Sequence, residues 1–399
     1  MKIPLYLLLL LTVSALTGAL PQDPLRQKAT AGDTGAMVAL GDEFFRGVNR
    51  PRNLSLAAFW YRKGANSGNP LARYRFGVCL EFGWGIRKSP RLAFEQYRQV
   101  LSLGAAQLRL AEMFLKGVSP EGDLPEIAPD KNKAIEIMRS LCKNNYYPSF
   151  IRLAELLYND PEMRQQHGNE IYQLVLRSLD TENPSVHGLT FQAKLLQEGI
   201  GVKKDLVFAR ALLEIAAKRK HAEAEFLFAE ALEFGRGTPV NTARAFEYYS
   251  KAAKSAYPAA LVRMGDYHLE GSFTPHDPAE AIKLFRQAAD KKYPPALWKL
   301  GWCSENGIGV PKDPSAAFNS YQRSANLGDA RGNYHTGRCF LEGIGVKADP
   351  AGAFYYFKRS AAGRCREGMK ALAECLRTGR GCTKNENLSR RIFREAEKY

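Results

Sequence analysis

The residues that could act as general bases, nucleophiles or metal ligands are scattered along this chain. The histidines are His167, His187, His221, His268, His276 and His335. No two of them stand three or four residues apart, so none can share a metal ion with another from one face of a single helix. The sequence also lacks His-Glu-x-x-His, Cys-x-x-Cys, Gly-x-Ser-x-Gly and the Walker phosphate loop. It therefore predicts no catalytic residue, no metal site and no cofactor.

A recurring Gly-x-Gly pair raises a second possibility, the binding of a dinucleotide phosphate. The pairs are Gly83/Gly85, Gly199/Gly201, Gly235/Gly237, Gly307/Gly309, Gly343/Gly345 and Gly379/Gly381. Each pair follows a helical pattern rather than a strand, and each lacks the third glycine and the βαβ unit of a dinucleotide site. Glycines in this position are typical of a turn that ends a helix.

The segments that carry these glycines recur along the chain. Aligning Ala-x-x-x-Leu-Gly with the Gly-x-Gly turn gives one small anchor residue per unit, and anchors from Ala193 to Ala373 are 36 residues apart five times in succession. Such a fixed period indicates a repeat architecture. The anchors are Gly41, Gly77, Ala111, Ala154, Ala193, Ala229, Gly265, Gly301, Gly337 and Ala373.

Each unit has the pattern of two helices, A and B. In helix A, the small and apolar residues around the anchor fall on one face and predict a packing stripe, in which the small anchor allows helix B to approach closely. Asp, Asn or Ser then precedes helix B, often followed by Pro, as in Asp313 and Pro314. We therefore predict an all-α fold, an α/α superhelical solenoid of about ten 36-residue helix–turn–helix repeats.

This pattern resembles the Sel-one-like repeat, a relative of the tetratricopeptide repeat. The matching features are the Ala-Leu-Gly of helix A, the Gly-x-Gly turn, the Asp-Pro cap and the Ala-x-x-Tyr-Tyr-x-Lys-Ala-Ala of helix B, and the clearest copy runs from Ala296 to Phe318. The resemblance implies a right-handed superhelix with the A helices on its concave side. It also implies a scaffold or adaptor that binds a protein or peptide.

The array has two ends and an irregular middle. Two segments break the repeat pattern: an enlarged turn at 117–130, and residues 158–170, which replace the glycine turn. Repeat 4 is either a flexible hinge or a degenerate but rigid repeat. The predicted organisation is a signal peptide at 1–19, an N-terminal half-repeat cap at 20–35, repeats 1–3 at 36–147, irregular repeat 4 at 148–184 and repeats 5–10 at 185–399.

Four of the seven cysteines, Cys79, Cys303, Cys339 and Cys375, occupy the same position, two residues after the anchor. Packed helices lie about 8–10 Å apart, which exceeds the Cα separation of about 4.4–6.8 Å in a disulfide. The sequence favours small buried thiols. Some exported proteins of the family that this chain resembles are cysteine-rich, and a disulfide links the two helices of each pair. This chain lacks the regular cysteine spacing of those proteins. Cys375 and Cys382 form the one pair to test.

The face of helix A opposite the packing stripe is the predicted binding face. Its basic and acidic rows stand three residues apart, so Arg109–Glu112, Arg152–Glu155 and Arg263–Asp266 can pair. In repeats 8 and 9 aromatic and basic residues replace the acidic row, which predicts a patch without local carboxylates that suits a peptide or a sugar-bearing ligand. The alternative is that Trp298 packs against the preceding repeat. The patch comprises Trp298, Lys299, Trp302, Tyr334, His335 and Arg338.

The N-terminus predicts export. Lys2 precedes an apolar run from Pro4 to Leu16 that is too short to span a bilayer, and small residues up to Ala19 suit a cleavage site. We expect a bacterial periplasmic or secreted protein without a membrane segment after cleavage. At the N-terminus, the alternative to a cleaved signal peptide is a segment that stays uncleaved as a membrane anchor. The alternative to bacterial export is export by a eukaryotic cell.

The net charge of +16 favours anionic partners. Export argues against nucleic acid as the natural partner. The leading hypothesis is a non-enzymatic scaffold that holds a protein or peptide in its concave groove. The alternatives are a binder of an anionic cell-envelope polymer such as peptidoglycan, and a hydrolase like those proposed among cysteine-rich relatives, for which no nucleophile–base pair is evident.

Overall fold

The computed structural model describes residues 23–398 and divides the chain into two compact units, one up to Ser178 and one from Leu179 onward. The predicted signal peptide lies outside the described residues. The helices of the first unit are α1 (Pro24–Thr30), α2 (Thr34–Arg46), α3 (Leu54–Asn66), α4 (Pro70–Phe82), α5 (Pro90–Arg98), α6 (Gly104–Lys116), α7 (Lys131–Lys143), α8 (Tyr147–Asn159), α9 (Pro161–Gln166) and α10 (Gly168–Leu179), whose last residue begins the second unit.

The second unit consists of six helix pairs that each follow the A–B pattern. They are α11 (Val186–Glu198) and α12 (Leu206–Lys218), α13 (Ala222–Glu233) and α14 (Thr242–Lys254), α15 (Pro258–Glu270) and α16 (Pro278–Asp290), α17 (Pro294–Asn306) and α18 (Pro314–Asn326), α19 (Ala330–Glu342) and α20 (Pro350–Ala362), and α21 (Arg366–Thr378) and α22 (Glu386–Ala396). Between residues 23 and 398 the β-type pairing is limited to isolated bridges, so the predicted all-α repeat fold is confirmed.

The ends of the helices form for the local reasons that the sequence suggests. Before α16 the Asp277 carboxylate accepts the backbone N–H of Glu280 at 3.0 Å, and Pro278 stands at the first helical position. Helix α15 ends at Gly271, whose φ of 69° places it in the left-handed region. Asp or Asn caps every B helix of the second unit, and a left-handed glycine follows each of its A helices except α13, which is followed by Phe234.

The anchor glycine sets the distance between the two helices of a repeat. A Cβ atom at Gly265 would lie 2.4 Å from the ring of Phe285, and one at Gly301 would lie 2.7 Å from the ring of Tyr321. These aromatic residues stand on helix B, twenty positions after their anchor, and both are fully buried. The predicted close approach of helix B to the anchor is therefore confirmed in these repeats.

The second glycine of the Gly-x-Gly turn packs against the preceding repeat. A Cβ atom at Gly345 would lie 2.0 Å from the carbonyl oxygen of Pro314, at the start of α18. Gly345 also has a φ of 67°. The turn after one helix A thus rests on the backbone of the previous helix B, which explains the pair of glycines without any phosphate ligand.

The enlarged turn at 117–130 is an ordered hairpin in the first unit. Val118 and Ile127 exchange two backbone hydrogen bonds, of 2.8 and 2.9 Å. The Arg91 side chain donates to the carbonyl oxygen of Pro125 at 2.7 Å, and the Ser89 hydroxyl donates to the Glu121 carboxylate at 2.5 Å. The extra residues of this turn are therefore tied to the start of α5.

Repeat 4 contains an additional short helix. Residues 158–170, which lack the glycine turn, include α9, and Asp160 caps it by accepting the backbone N–H of Glu162 and Met163. The division between the two units falls after Ser178. The boundaries of the cap and of the ten repeats stay predictions.

Candidate functional site

A groove in the second unit crosses the five A helices α13, α15, α17, α19 and α21 in order. Its volume is about 820 Å³. The lining includes Phe226, Glu230 and Glu233 of α13 at one end and Arg366 and Glu367 of α21 at the other. Because each helix A contributes residues nearer to its N-terminus than the one before, the groove runs obliquely across the repeats.

Charged side chains of both signs line this groove in equal number. The basic residues are Arg263, Lys299, Arg331, Arg364 and Arg366, and the acidic residues are Glu230, Glu233, Asp266, Asp329 and Glu367. The groove thus has no net formal charge although the chain carries +16. Aromatic surface comes from Phe226, Phe234, Tyr249, Tyr293 and Trp298.

Trp298 is held in place by a stack of rings. Its ring lies 5.7 Å from the ring of His335 at an interplanar angle of 12°, and His335 in turn lies 4.6 Å from Tyr321. The Arg331 guanidinium sits 5.4 Å from the centroid of the Trp298 ring, and the Lys299 ammonium 4.9 Å. The ring of Trp298 is therefore fixed by the following repeat and flanked by two cations.

His335, a member of the predicted aromatic and basic patch, does not act as one of its cations. Burial lowers the pKa of His335 to about 4, and the nearby Arg338 acts in the same direction. A stacked and largely desolvated imidazole favours its neutral form. At neutral pH His335 is a neutral aromatic support for Trp298, not a cation of the patch.

The prediction that the patch lacks local carboxylates is wrong. Lys299 pairs with Asp266 at 2.5 Å, and Arg338 pairs with Glu305. Each carboxylate belongs to the repeat that precedes the repeat of its basic partner. Charges on one repeat face the next repeat across neighbouring A helices, so pairing within a helix accounts for only part of the network.

The same pairing between neighbouring A helices explains which of the three predicted local ion pairs form. Arg109 pairs with Glu112 at 2.6 Å and Arg152 with Glu155 at 3.1 Å, as predicted. Arg263 does not pair with Asp266 but with Glu233 of the preceding repeat, which also accepts the Tyr249 hydroxyl at 2.7 Å. Burial and this carboxylate raise the pKa of Tyr249.

The six predicted patch residues separate into four groups. Trp298 and Lys299 line the groove. His335 stacks behind Trp298, and the ring centroid of Tyr334 lies 5.0 Å from that of His335. The Arg338 guanidinium forms an ion pair with the Glu305 carboxylate. The Trp302 side chain is 38% exposed and is not among the residues that line this groove in the described part of the chain.

Several groove residues were missed by the reasoning from the sequence. Tyr293, Asp329 and Cys365 stand immediately before an A helix, and Arg331 and Arg366 lie in its first turn. Tyr293, Asp329 and Cys365 stand at the same repeat position, 36 residues apart, so the repeat alignment alone could have placed them together. Attention to the middle of helix A alone missed them.

The seven cysteines are all free thiols, and six are buried. Burial raises the pKa of Cys79 and Cys303 to about 11 and that of Cys339 to about 12. The Cys382 thiol donates to the carbonyl oxygen of Cys375 at 3.4 Å rather than forming a disulfide with it. The ladder thus consists of buried neutral thiols, as the sequence favoured.

One group of metal-ligating side chains comes together in the second unit, although the sequence predicted none. It consists of His187, His221 and Glu223, whose ligand atoms all lie within 4.8 Å of one another. The search for histidine pairs within one helix missed it because the two histidines belong to successive repeats.

Two solved bacterial structures have folds similar to this chain. The protective antigen c5321 of uropathogenic Escherichia coli, which displays an SLR fold, is 20% identical, with a TM-score of 0.54 over 94% of this chain and 82% of that chain. A Sel1 repeat protein from Oxalobacter formigenes is 25% identical, with a TM-score of 0.51 over 66% of this chain and 96% of that chain.

A curated relative is chitin synthase regulatory factor 3 of Schizosaccharomyces pombe, which is 25% identical over 41% of this chain. The match spans only 15% of that relative's length. Over the described residues, no helix is both long enough and apolar enough to cross a membrane.

The Sel1 repeat is a solenoid that commonly serves as a protein-interaction scaffold, and its sequence pattern matches nine segments of this chain. They are 34–69, 70–99, 104–146, 193–221, 222–257, 258–293, 294–329, 330–364 and 366–398. The unmatched stretch at 147–192 contains the irregular repeat 4. These matches cover most of the chain, and the protein therefore belongs to the Sel1 repeat family.

Proposed function

We propose that this protein is a non-enzymatic scaffold that binds an extended peptide segment of a partner protein along the groove of α13 to α21. The observation that carries this proposal is the oblique groove itself, with Trp298 fixed at its centre between cations. A rigid aromatic side chain with adjacent arginine is a common anchor for a peptide, since little conformational entropy is lost on binding.

The charges of the groove favour a peptide over a polyanion. Lys299 is already paired with Asp266 and Arg263 with Glu233. A polymer of uniform negative charge would meet the acidic residues of the same groove. A peptide that presents apolar and mixed polar groups can satisfy both signs, and we therefore place the natural ligand in this class.

The test is a selection of peptides from a random displayed library on the immobilised, untagged protein. We expect selected peptides to share an apolar or aromatic residue and to bind with a Kd that changes less than about threefold between 50 and 200 mM salt, because the groove is charge-balanced. Binding of peptidoglycan fragments or anionic polysaccharide that falls steeply with salt, without any peptide selected, would instead support the envelope-polymer alternative.

Export is a separate proposal that rests on the apolar run from Pro4 to Leu16 and the small residues before Ala19. We propose that the chain is processed after Ala19 and acts in the periplasm or outside a bacterial cell. N-terminal sequencing of the protein from an expressing cell tests this. A cytosolic protein that still begins at Met1 would contradict it.

A further inference from the structure

His187, His221 and Glu223 occupy related places in two successive repeats. His187 lies in the first turn of α11, while His221 immediately precedes α13 and Glu223 lies in its first turn. Glu223 stands 36 residues after His187, which is one repeat. The solenoid therefore sets side chains of the two A helices face to face.

The orientation of His221 is fixed from behind by Thr190. The Thr190 hydroxyl donates to the carbonyl oxygen of Val186 at 2.7 Å, so its oxygen must accept from Nδ1 of His221, 3.0 Å away. Thr190 is buried. This hydrogen bond selects the tautomer that carries its proton on Nδ1, and it leaves the Nε2 lone pair available to a metal ion.

His187 and Glu223 lie close to the ring of His221. The rings of His187 and His221 have centroids 6.2 Å apart at an angle of 75°, and all the ligand atoms lie within 4.8 Å. Two ligands of one zinc ion can be at most about 4.2 Å apart, since each bond is about 2.0–2.1 Å long. The two separations differ by at most about 0.6 Å, and a small rotation of the exposed His187 side chain closes this difference.

Glu223 is positioned by a basic neighbour. Its Oε1 accepts from the Lys194 ammonium at 2.8 Å, and the carboxylate keeps further lone pairs for an ion.

We propose that His187, His221 and Glu223 bind one divalent transition-metal ion, with zinc as the best fit to two imidazoles and a carboxylate. Water completes the coordination on the exposed side of His187. Because the ligands come from successive repeats, the ion joins α11 to the start of α13. This inference is independent of peptide binding in the groove, which lies on other residues.

The test is titration of the untagged, reduced protein carrying Cys382→Ser with Zn²⁺ by calorimetry, and with Co²⁺ by absorption spectroscopy. We expect one Zn²⁺ per chain, and Co²⁺ bands of nitrogen and oxygen ligation without thiolate charge transfer. His187→Ala should weaken binding by about 10–100-fold or more. Since His187 is exposed, this variant should keep its fold, which far-UV circular dichroism checks.

His276→Ala is the matched control, because His276 is exposed in a turn of the same unit and lies outside the cluster. It should bind Zn²⁺ like the parent protein. Glu223→Gln provides a second cluster variant that keeps the size of the side chain. Unchanged Zn²⁺ affinity in the folded His187→Ala variant, a thiolate band with Co²⁺, or no binding by the parent would overturn the proposal.

Discussion

At the scale of single residues, the surroundings of His335 determine the character of the aromatic cluster. Its ring lies between those of Trp298 and Tyr321, and burial lowers its pKa to about 4. An unfolded chain would protonate the same histidine near pH 6.5. Between these two values the unfolded state binds more protons than the folded state, so stability falls as the pH is lowered through this window.

We therefore predict that His335→Phe reduces the acid sensitivity of the protein. Between pH 6.5 and 4 the parent should lose roughly 1–3 kcal/mol of unfolding free energy more than the variant, which keeps an aromatic ring but cannot be protonated. Urea denaturation of both proteins at several pH values measures this difference. Identical pH profiles would show that His335 is protonated in the folded protein.

At the scale of the helix pair, the contact between Gly265 and Phe285 fixes the spacing of α15 and α16. An added Cβ would lie 2.4 Å from the ring, so a backbone or ring shift is required. We predict that Gly265→Ala destabilises the second unit by about 1–3 kcal/mol, measured by urea denaturation. In the background Phe285→Leu, the added cost of Gly265→Ala should shrink. An equal cost in both backgrounds would mean that the ring is not the obstacle.

In the turn from helix B to the next helix A, several residues other than glycine adopt a left-handed conformation, so a change to glycine can be tested there. Ala256 has a φ of 54°, and Lys220, Lys292 and Arg364 are equally left-handed at equivalent positions where repeat 8 has Gly328. A side chain in this conformation costs roughly 1–2 kcal/mol, part of which is regained through the lower entropy of the unfolded chain.

Ala256→Gly is accordingly predicted to stabilise the protein by about 0.5–1 kcal/mol, seen as a higher urea midpoint at unchanged slope. Gly328→Ala, at the equivalent position, has no atom within 4 Å of its added Cβ and should lose stability through backbone strain alone. A lower midpoint for Ala256→Gly would contradict this explanation.

These helix-level features show what the sequence could and could not predict. The anchors and the Gly-x-Gly turns were predictable because helical periodicity and glycine restrict local conformation. Left-handed Ala256 and Lys292 were not, since neither residue type marks that conformation. Pairing across repeats, as between Lys299 and Asp266, depends on the packing of successive A helices and required the three-dimensional structure.

At the scale of the whole molecule, local charge and overall charge differ. The chain carries +16, yet the groove has equal numbers of acidic and basic side chains. The sequence could locate Trp298 and Lys299 but could not distinguish them from Trp302, because all three lie in the same helix. Only the tertiary structure separates the side chains that line the groove from one that does not.

The most direct test is the affinity of a selected peptide for the parent protein and three variants, measured by fluorescence anisotropy. Trp298→Ala should raise the Kd at least about tenfold, equivalent to about 1.4 kcal/mol, and Arg331→Gln should raise it while leaving the ring stack intact. Trp302→Ala, on the same helix but outside the groove, should leave the Kd within about twofold. Equal affinities for all variants, or a loss only with Trp302→Ala, would show that the groove is not the binding site.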